Sequence, residues 1–210
     1  MIKKIINKIT GIFDSEQEPR QNFLVVNAGK QPELDLRIVG LFSSVDEEKI
    51  SEIVTGILYM DELNKAEKEE EKRKDIEFYV STYGGSADDM FALYDIMKNV
   101  EKTTDISTIG VGKVMSAGVL ILAAGTNGKR KIGKNCRVMI HSIAAGNHGE
   151  LAHMENELDQ IRNIQEMYIK CLVSETKMTE TVVRKMLERG VNVYLNAEEA
   201  IEYGIADVIV

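Results

Sequence analysis

The sequence holds only two cysteines, Cys136 and Cys171, and no tryptophan. A small secreted domain stapled by disulfides would carry more cysteine, so the chain fits a reducing compartment. Neither cysteine stands in a CxxC or other metal-ligand spacing, and each reads as a small buried hydrophobe. Long apolar runs are missing as well: nothing approaches the ~18 consecutive residues that cross a bilayer. Excess positive charge is also lacking. Lys and Arg number 26 against 34 Asp and Glu, a formal net charge of −8, which argues against a nucleic-acid partner and its need for a basic face. No internal repeat of solenoid period is visible. What is present is 210 residues with 44% hydrophobic content, enough for one domain with a real core and little room for a second.

Met1–Phe13 places Ile2, Ile5, Ile6, Ile9 and Ile12 on one helical face, with Lys3, Lys4 and Lys8 as polar punctuation. A helix lying on a membrane surface shares that pattern. The segment has neither the unbroken apolar stretch nor the small-residue cleavage site of a secretory signal, so a short helix docking on protein and a cytoplasmic location are expected. Residues 1–35 are therefore read as an N-terminal extension or tether, with Phe23-Leu24-Val25-Val26 as a possible short strand, and residues 36–210 as the functional domain.

Within that domain, Arg37 to Phe42 is a β-like run, and the acidic Asp46-Glu47-Glu48 opens a helix through Ile50, Ile53, Val54 and Ile57. Glu62 to Lys74 interleaves both charge signs without an apolar stripe and reads as a solvated helix extension or loop, of use only for solubility. A strand–turn–helix rhythm follows. Ile76–Val80, Ile106–Val111, Arg130–Ile132, Val138–His141 and Val193–Leu195 are predicted strands, with turns at Tyr83–Ser86 and Gly112–Met115. Helices are predicted over Ala87–Val100, Ser116–Ala124, Leu151–Ser174 and Glu180–Glu188, with a terminal helix opened by Asn196 and stopped at Gly204. Strands alternating with helices predict an α/β fold with mostly parallel pairing.

In such folds ligands sit beyond the carboxyl ends of the strands, which is where two glycine-bearing turns fall. Gly84-Gly85 lets the backbone approach a ligand closely, although a plain tight turn would use the same residues. Ser116 stands at the start of a very apolar helix. It is either an ordinary N-cap or a nucleophile whose developing oxyanion would meet free N–H groups and the positive dipole end. His141 ends a wholly apolar strand, where a ring is costly unless its nitrogens are satisfied. His148 and His153, with Glu150 and Glu155, have only generic metal spacing, and no metal is expected.

Taken in order, several segments resemble the Clp protease proteolytic subunit (ClpP) over roughly Arg37 to Ile209. They are Tyr83-Gly84-Gly85-Ser86, Met115-Ser116-Ala117-Gly118, Leu122-Ala123-Ala124-Gly125, Gly128-Lys129-Arg130, Asn135 through His141, and Leu195 through Gly204, together with the spacing from Ser116 to His141. The resemblance implies an α/β ClpP/crotonase-like fold of repeated strand–turn–helix units with a protruding handle helix, here the helix from about Leu151. It implies Ser116 as nucleophile, His141 as general base, and the amides of Gly85 and Ala117 as an oxyanion hole. It implies that Ala144 to Gly149 is the strand beside which an extended substrate lies. It further implies a homo-oligomer of two stacked heptameric rings that cleaves polypeptides fed by a separate AAA+ unfoldase. No cofactor is expected in this chain, because it contains no phosphate-cradling GxxxxGK[ST] motif.

The departures from the family pattern are specific. Tyr83 stands where the family has Pro, and the position of the third triad member, an Asp in the family, is Asn192 in a longer segment. The chain start does not match the family's axial loop. A signal peptide peptidase of the same fold would use a Ser/Lys dyad and would not need His141. A crotonase would put carboxylates in place of the serine. An α/β-hydrolase is disfavoured because Val114 replaces the first Gly of its serine motif and the acid would precede the histidine. A catalytically inactive ring subunit or a phage-type maturation protease of this fold are the other readings, and Asn192 alone favours the former.

Overall fold

The structure, a computed structural model, describes residues 35–146, 148–188 and 190–210. The expected helix over Met1–Phe13 and nearly all of the tether lie outside these residues.

The parallel sheet begins with β1 (Ile38–Leu41), β2 (Ile76–Thr82) and β3 (Ile106–Met115). In β2 successive residues alternate cleanly. Ile76, Phe78, Val80 and Thr82 are buried while Glu77, Tyr79 and Ser81 are half-buried, the period-two pattern of a strand. The first half of β3, Ile106 to Gly110, is buried throughout, as a central parallel strand covered on both faces must be. β3 then changes partners. Ile109 and Gly110 pair with β4 (Lys131–Ile132), whereas Lys113, Val114 and Met115 pair with β5 (Arg137–Ile140). β7 (Val208–Ile209) extends the sheet beyond β4, and β6 (Val193–Leu195) lies antiparallel on β5. The expected turn at Gly112–Met115 is therefore strand. Gly112, with φ of 67°, bends β3 at a bulge opposite Ser81, and the new partner β5 keeps the far half extended. Nothing in the sequence marks β7, whose two residues are fixed only by pairing with β4.

Helices cover the sheet. α1 (Glu47–Ala66) starts where the Asp46 carboxylate accepts the Lys49 N–H at 3.0 Å, with Glu47 and Glu48 in the first turn. It buries Ile50, Ile53, Ile57 and Met60 at helical spacing. α2 (Ala87–Val100) is capped in the same way by Ser86, which accepts the Asp89 N–H. α3 (Ala117–Ala123) is buried at every residue and forms the centre of the core. α4 (Leu151–Glu175) is about 37 Å long and buries only Tyr168, Ile169 and Leu172 near its C-terminal end, so most of it projects as a handle. α5 (Glu180–Leu187) and α6 (Ala197–Glu202) follow, the latter with a complete capping box between Asn196 and Glu199. Leu36–Val210 is one compact unit.

The charged Glu62–Lys74 stretch does more than keep the protein soluble. It continues α1 to Ala66, and within it Asn64 is buried. The Asn64 amide donates to Lys74 O at 2.9 Å and Thr104 Oγ1 at 3.0 Å, its oxygen accepts from Arg37 at 2.8 Å, and Thr104 in turn donates to the buried Asp61 at 2.7 Å. These polar groups satisfy one another, which is what allows them to lie inside. Of the cysteines, Cys136 is buried, and burial pushes its thiol up to about 11; Cys171 is only half-buried.

Candidate active site

Two neighbouring parallel strands deliver Ser116 and His141 to one place. Met115 of β3 and Met139 of β5 are in register, and the Ser116 N–H donates to Met139 O at 2.8 Å. Ser116 and His141 therefore leave the sheet at the same carboxyl end, where an α/β fold places its ligands. His141 Nε2 and Ser116 Oγ are 2.8 Å apart, hydrogen-bond distance.

The conformation of Ser116 is not that of a helix cap. A capping serine has extended backbone angles, and its oxygen accepts an N–H from the first turn. Ser116 has φ 55° and ψ −123°, makes no side-chain capping bond, and is the one non-glycine among the described residues with positive φ. Such backbone costs about 1–3 kcal/mol and persists only where the surroundings enforce it. Gly84 is one of the enforcing neighbours. With φ of 98°, it lies so close that a Cβ would stand 2.6 Å from Ser116 Cβ and 2.9 Å from Met115 O.

The backbone at Gly85 and at Ala117 lines the same cavity as the serine. The Val45 N–H donates to Gly84 O at 3.0 Å, and the Ser86 N–H donates to Val45 O at 2.8 Å. In this parallel bridge the intervening Gly85 turns its own N–H and C=O away from Val45. A Cβ on Gly85 would come within 2.1 Å of Val45 O, so no larger residue permits this approach. Ala117 is the first residue of α3, where a backbone N–H has no intrahelical acceptor. Gly85, Ala117, Ser116, His141, Met90 and Tyr168 are among the residues lining a cavity of about 370 Å³.

Asn192 follows the same paired edge as His141 but makes no hydrogen bond to it. Ile140 of β5, one residue before His141, pairs in the antiparallel register with Val193 of β6, one residue after Asn192. The exposed Asn192 amide instead donates to the Tyr194 hydroxyl at 3.5 Å, and the Tyr194 ring carries the Arg137 guanidinium at 4.9 Å. An uncharged amide has little electrostatic pull on the imidazole, and the phenol is a ready partner on its own strand. The expected substrate strand is not regular: residues 144–146 and 148–149 are exposed and outside any strand. Glu150, His153 and Glu155 are exposed at the start of α4 and do not reach the serine's cavity. Tyr83 is exposed, with Lys113 Nζ 4.6 Å above its ring.

Tyr168 was not singled out from the sequence. It is buried on α4, and its hydroxyl donates to the Ser116 carbonyl at 3.2 Å. Burial holds its phenol well above the ordinary pKa, so it stays a donor. No sequence signal links it to a serine so far away; at most it is an aromatic on the apolar face of an otherwise polar helix.

The sequence profile of the Clp protease family matches residues 30–210. Similar curated proteins include ATP-dependent Clp protease proteolytic subunit 3 of Frankia casuarinae, 33% identical over 174 residues, covering 83% of this chain and 76% of the relative. Proteolytic subunit 2 of the same organism is 32% identical over 174 residues, covering 83% and 75%. Proteolytic subunit 3 of Nocardia farcinica is 32% identical over 175 residues, covering 82% and 74%. Given a match that spans the sheet, the central helix and the handle together, this chain belongs to the Clp protease family.

Proposed function

We propose that this chain is a serine endopeptidase and the proteolytic subunit of an ATP-dependent Clp-type assembly. The observation that carries the reading is the Ser116 Oγ to His141 Nε2 distance of 2.8 Å, made by a serine in strained, non-capping backbone at the mouth of a cavity. In this reading Ser116 Oγ attacks the scissile carbonyl and passes its proton to His141 Nε2. The carbonyl oxygen, now negative, accepts hydrogen bonds from the N–H groups of Gly85 and Ala117. His141 then protonates the leaving amine, and a water, deprotonated by the same imidazole, hydrolyses the acyl ester and restores the serine. Asn192, turned from Tyr194, would accept the Nδ1 proton of His141 through its amide oxygen and fix the tautomer without adding negative charge. No metal or cofactor takes part in these steps.

By family, the subunits work as oligomeric rings with Clp ATPases; two stacked heptamers, an AAA+ unfoldase as partner, unfolded polypeptides as substrate and a cytoplasmic location are the finer parts of the proposal. Among the described residues no helix is long and apolar enough to cross a membrane. The test is turnover of short fluorogenic peptides by the parent, Ser116→Ala and His141→Ala. Both variants are expected to lose at least about 10³-fold in kcat; parental rates in either would refute the assignment. A second reading, a catalytically weak subunit that supports an active partner, is favoured by the Asn192 side chain facing Tyr194. Parental turnover at background level in a purified ring would select it.

A further inference from the structure

We infer that Tyr168 is a positioning residue for the proposed peptidase reaction: its hydroxyl holds the Ser116 carbonyl and thereby aims the Ala117 N–H at the oxyanion. A trans peptide is a rigid plane with its C=O and N–H on opposite edges. The plane between Ser116 and Ala117 has the Tyr168 hydroxyl at 3.2 Å on the carbonyl edge, so the N–H on the other edge cannot swing freely. The Val119 N–H also donates to that carbonyl, at 3.0 Å, but from within the same helical turn, which moves with the plane. Tyr168 is the anchor from a different element.

The anchor is well built. Tyr168 is 3% exposed and packs in the core beside Ile169 and Leu172, so its ring has little freedom. The opposite side of Ser116 is held by its N–H on Met139 O at 2.8 Å. Ser116 thus has one anchor on β5 and one on α4, and its positive φ is enforced between them. One helical turn before Tyr168, the Gln165 side chain accepts the Ile143 N–H at 3.3 Å, two residues past His141. A single helix, the handle, therefore holds the Ser116 carbonyl and the backbone two residues past His141, and a shift of α4 would reach both segments together.

The inference rests on the serine peptidase reading, and the experiment separates the two. The full chain is compared as parent, Tyr168→Phe, Tyr94→Phe and Ser116→Ala. Tyr94 is the matched control: its hydroxyl donates to Glu175 of the same helix at 2.7 Å, away from the cavity. Measured are kcat, KM, Tm and the affinity of a peptide boronic acid, whose tetrahedral serine adduct presents an oxygen to the oxyanion hole. For Tyr168→Phe the expected result is kcat down about tenfold, less than the ~10²–10³ of losing an oxyanion donor outright. KM stays within about twofold, and boronate affinity falls in step with kcat. Tyr94→Phe keeps parental kcat and boronate affinity. Parental kcat and boronate affinity in Tyr168→Phe would overturn the inference, and so would equal losses in both tyrosine variants that track Tm. Parental turnover by Ser116→Ala would instead overturn the peptidase reading beneath it.

Discussion

Ser116 is where local preference and tertiary structure disagree, and the disagreement is resolved by space. Its positive φ is tolerated because Gly84 leaves room beside it; a methyl there would press on Ser116 Cβ at 2.6 Å and on Met115 O at 2.9 Å. Gly84→Ala is expected to lower peptide turnover by at least about 100-fold, the order of loss that follows a displacement of about 1 Å at a reacting centre. A variant with parental kcat would show that the serine's backbone does not depend on that space. Asn192 carries a second residue-scale prediction. Asn192→Asp supplies a charge opposite His141 that stabilises the imidazolium formed during attack, and acylation by a serine-directed phosphonate should quicken about 10- to 1,000-fold. The comparison runs across pH 6 to 9 with Asn192→Ala beside it, at rates set by kinetics of labelling. Equal rates in all three forms would remove Asn192 from the site. In the sequence, Ser116 and His141 stand out as a pair only through the resemblance of their segments to a known family; taken singly, the serine reads equally as a helix cap and the histidine as a bonded structural ring. The side chain of Asn192 was not legible, since its partner, Tyr194, depends on how two hydroxyl and amide groups settle on an exposed edge.

At the scale of elements, the Gly128-Lys129-Arg130 segment joins three pieces of the fold. Arg130 forms a two-pronged pair with Asp207, at 2.9 Å and 2.6 Å, beside β7. It also donates to Ala123 O at the end of α3 and to Glu175 O at the end of α4, where a cation complements both helix dipoles. Desolvation alone would raise the Asp207 carboxyl. The Arg130 guanidinium, with the backbone N–H groups of Arg130 and Gly128, outweighs it and holds the carboxyl below its ordinary 3.8. A carboxyl whose folded pKa is depressed contributes stability that is full above the unfolded value and is lost as pH falls through the folded one. Asp207→Asn leaves the 5%-exposed Arg130 without its counter-charge, at a cost of about 3 kcal/mol. For a chain of this size that lowers Tm by about 6–12 °C at pH 7. The gap between parent and variant should shrink as pH falls below about 4. A gap that is constant with pH would show that the pair's charge does not hold these elements together. The helices themselves are readable from their acidic or capping starts and apolar spacing, as Asp46-Glu47-Glu48 and Asn196 show. The sequence ends β3 at Val111, whereas the structure carries it to Met115, because its far half is fixed by β5, a partner later in the chain that local glycine content cannot report.

For the whole molecule, the most telling surface is the handle. Leu151, Met154 and Leu158 are 69%, 37% and 46% exposed along one side of α4, an apolar stripe that a lone subunit leaves in water. In the proposed pair of stacked rings the facing handles would cover it. Met154→Glu with Leu158→Glu should leave single rings, with about half the parental mass by light scattering at micromolar protein. Unchanged mass would place the ring contact elsewhere. The handle is visible in the sequence as a long helix from about Leu151 and, by resemblance, as a handle, whereas Tyr168 and Gln165, which tie its base to the site, are not, because their partners are Ser116, between β3 and α3, and Ile143 in the loop after β5.

The central claim is that Ser116 forms a covalent bond with the substrate's acyl group, assisted by His141. The direct measurement is to mix the full-length protein with a peptide ester, quench in acid within the first turnover, and map the acylated peptide by mass spectrometry. The account predicts one acyl group per chain, on Ser116, absent in Ser116→Ala and formed at least about 10³-fold more slowly in His141→Ala. An acyl group on another residue, or turnover that persists in Ser116→Ala, would contradict it.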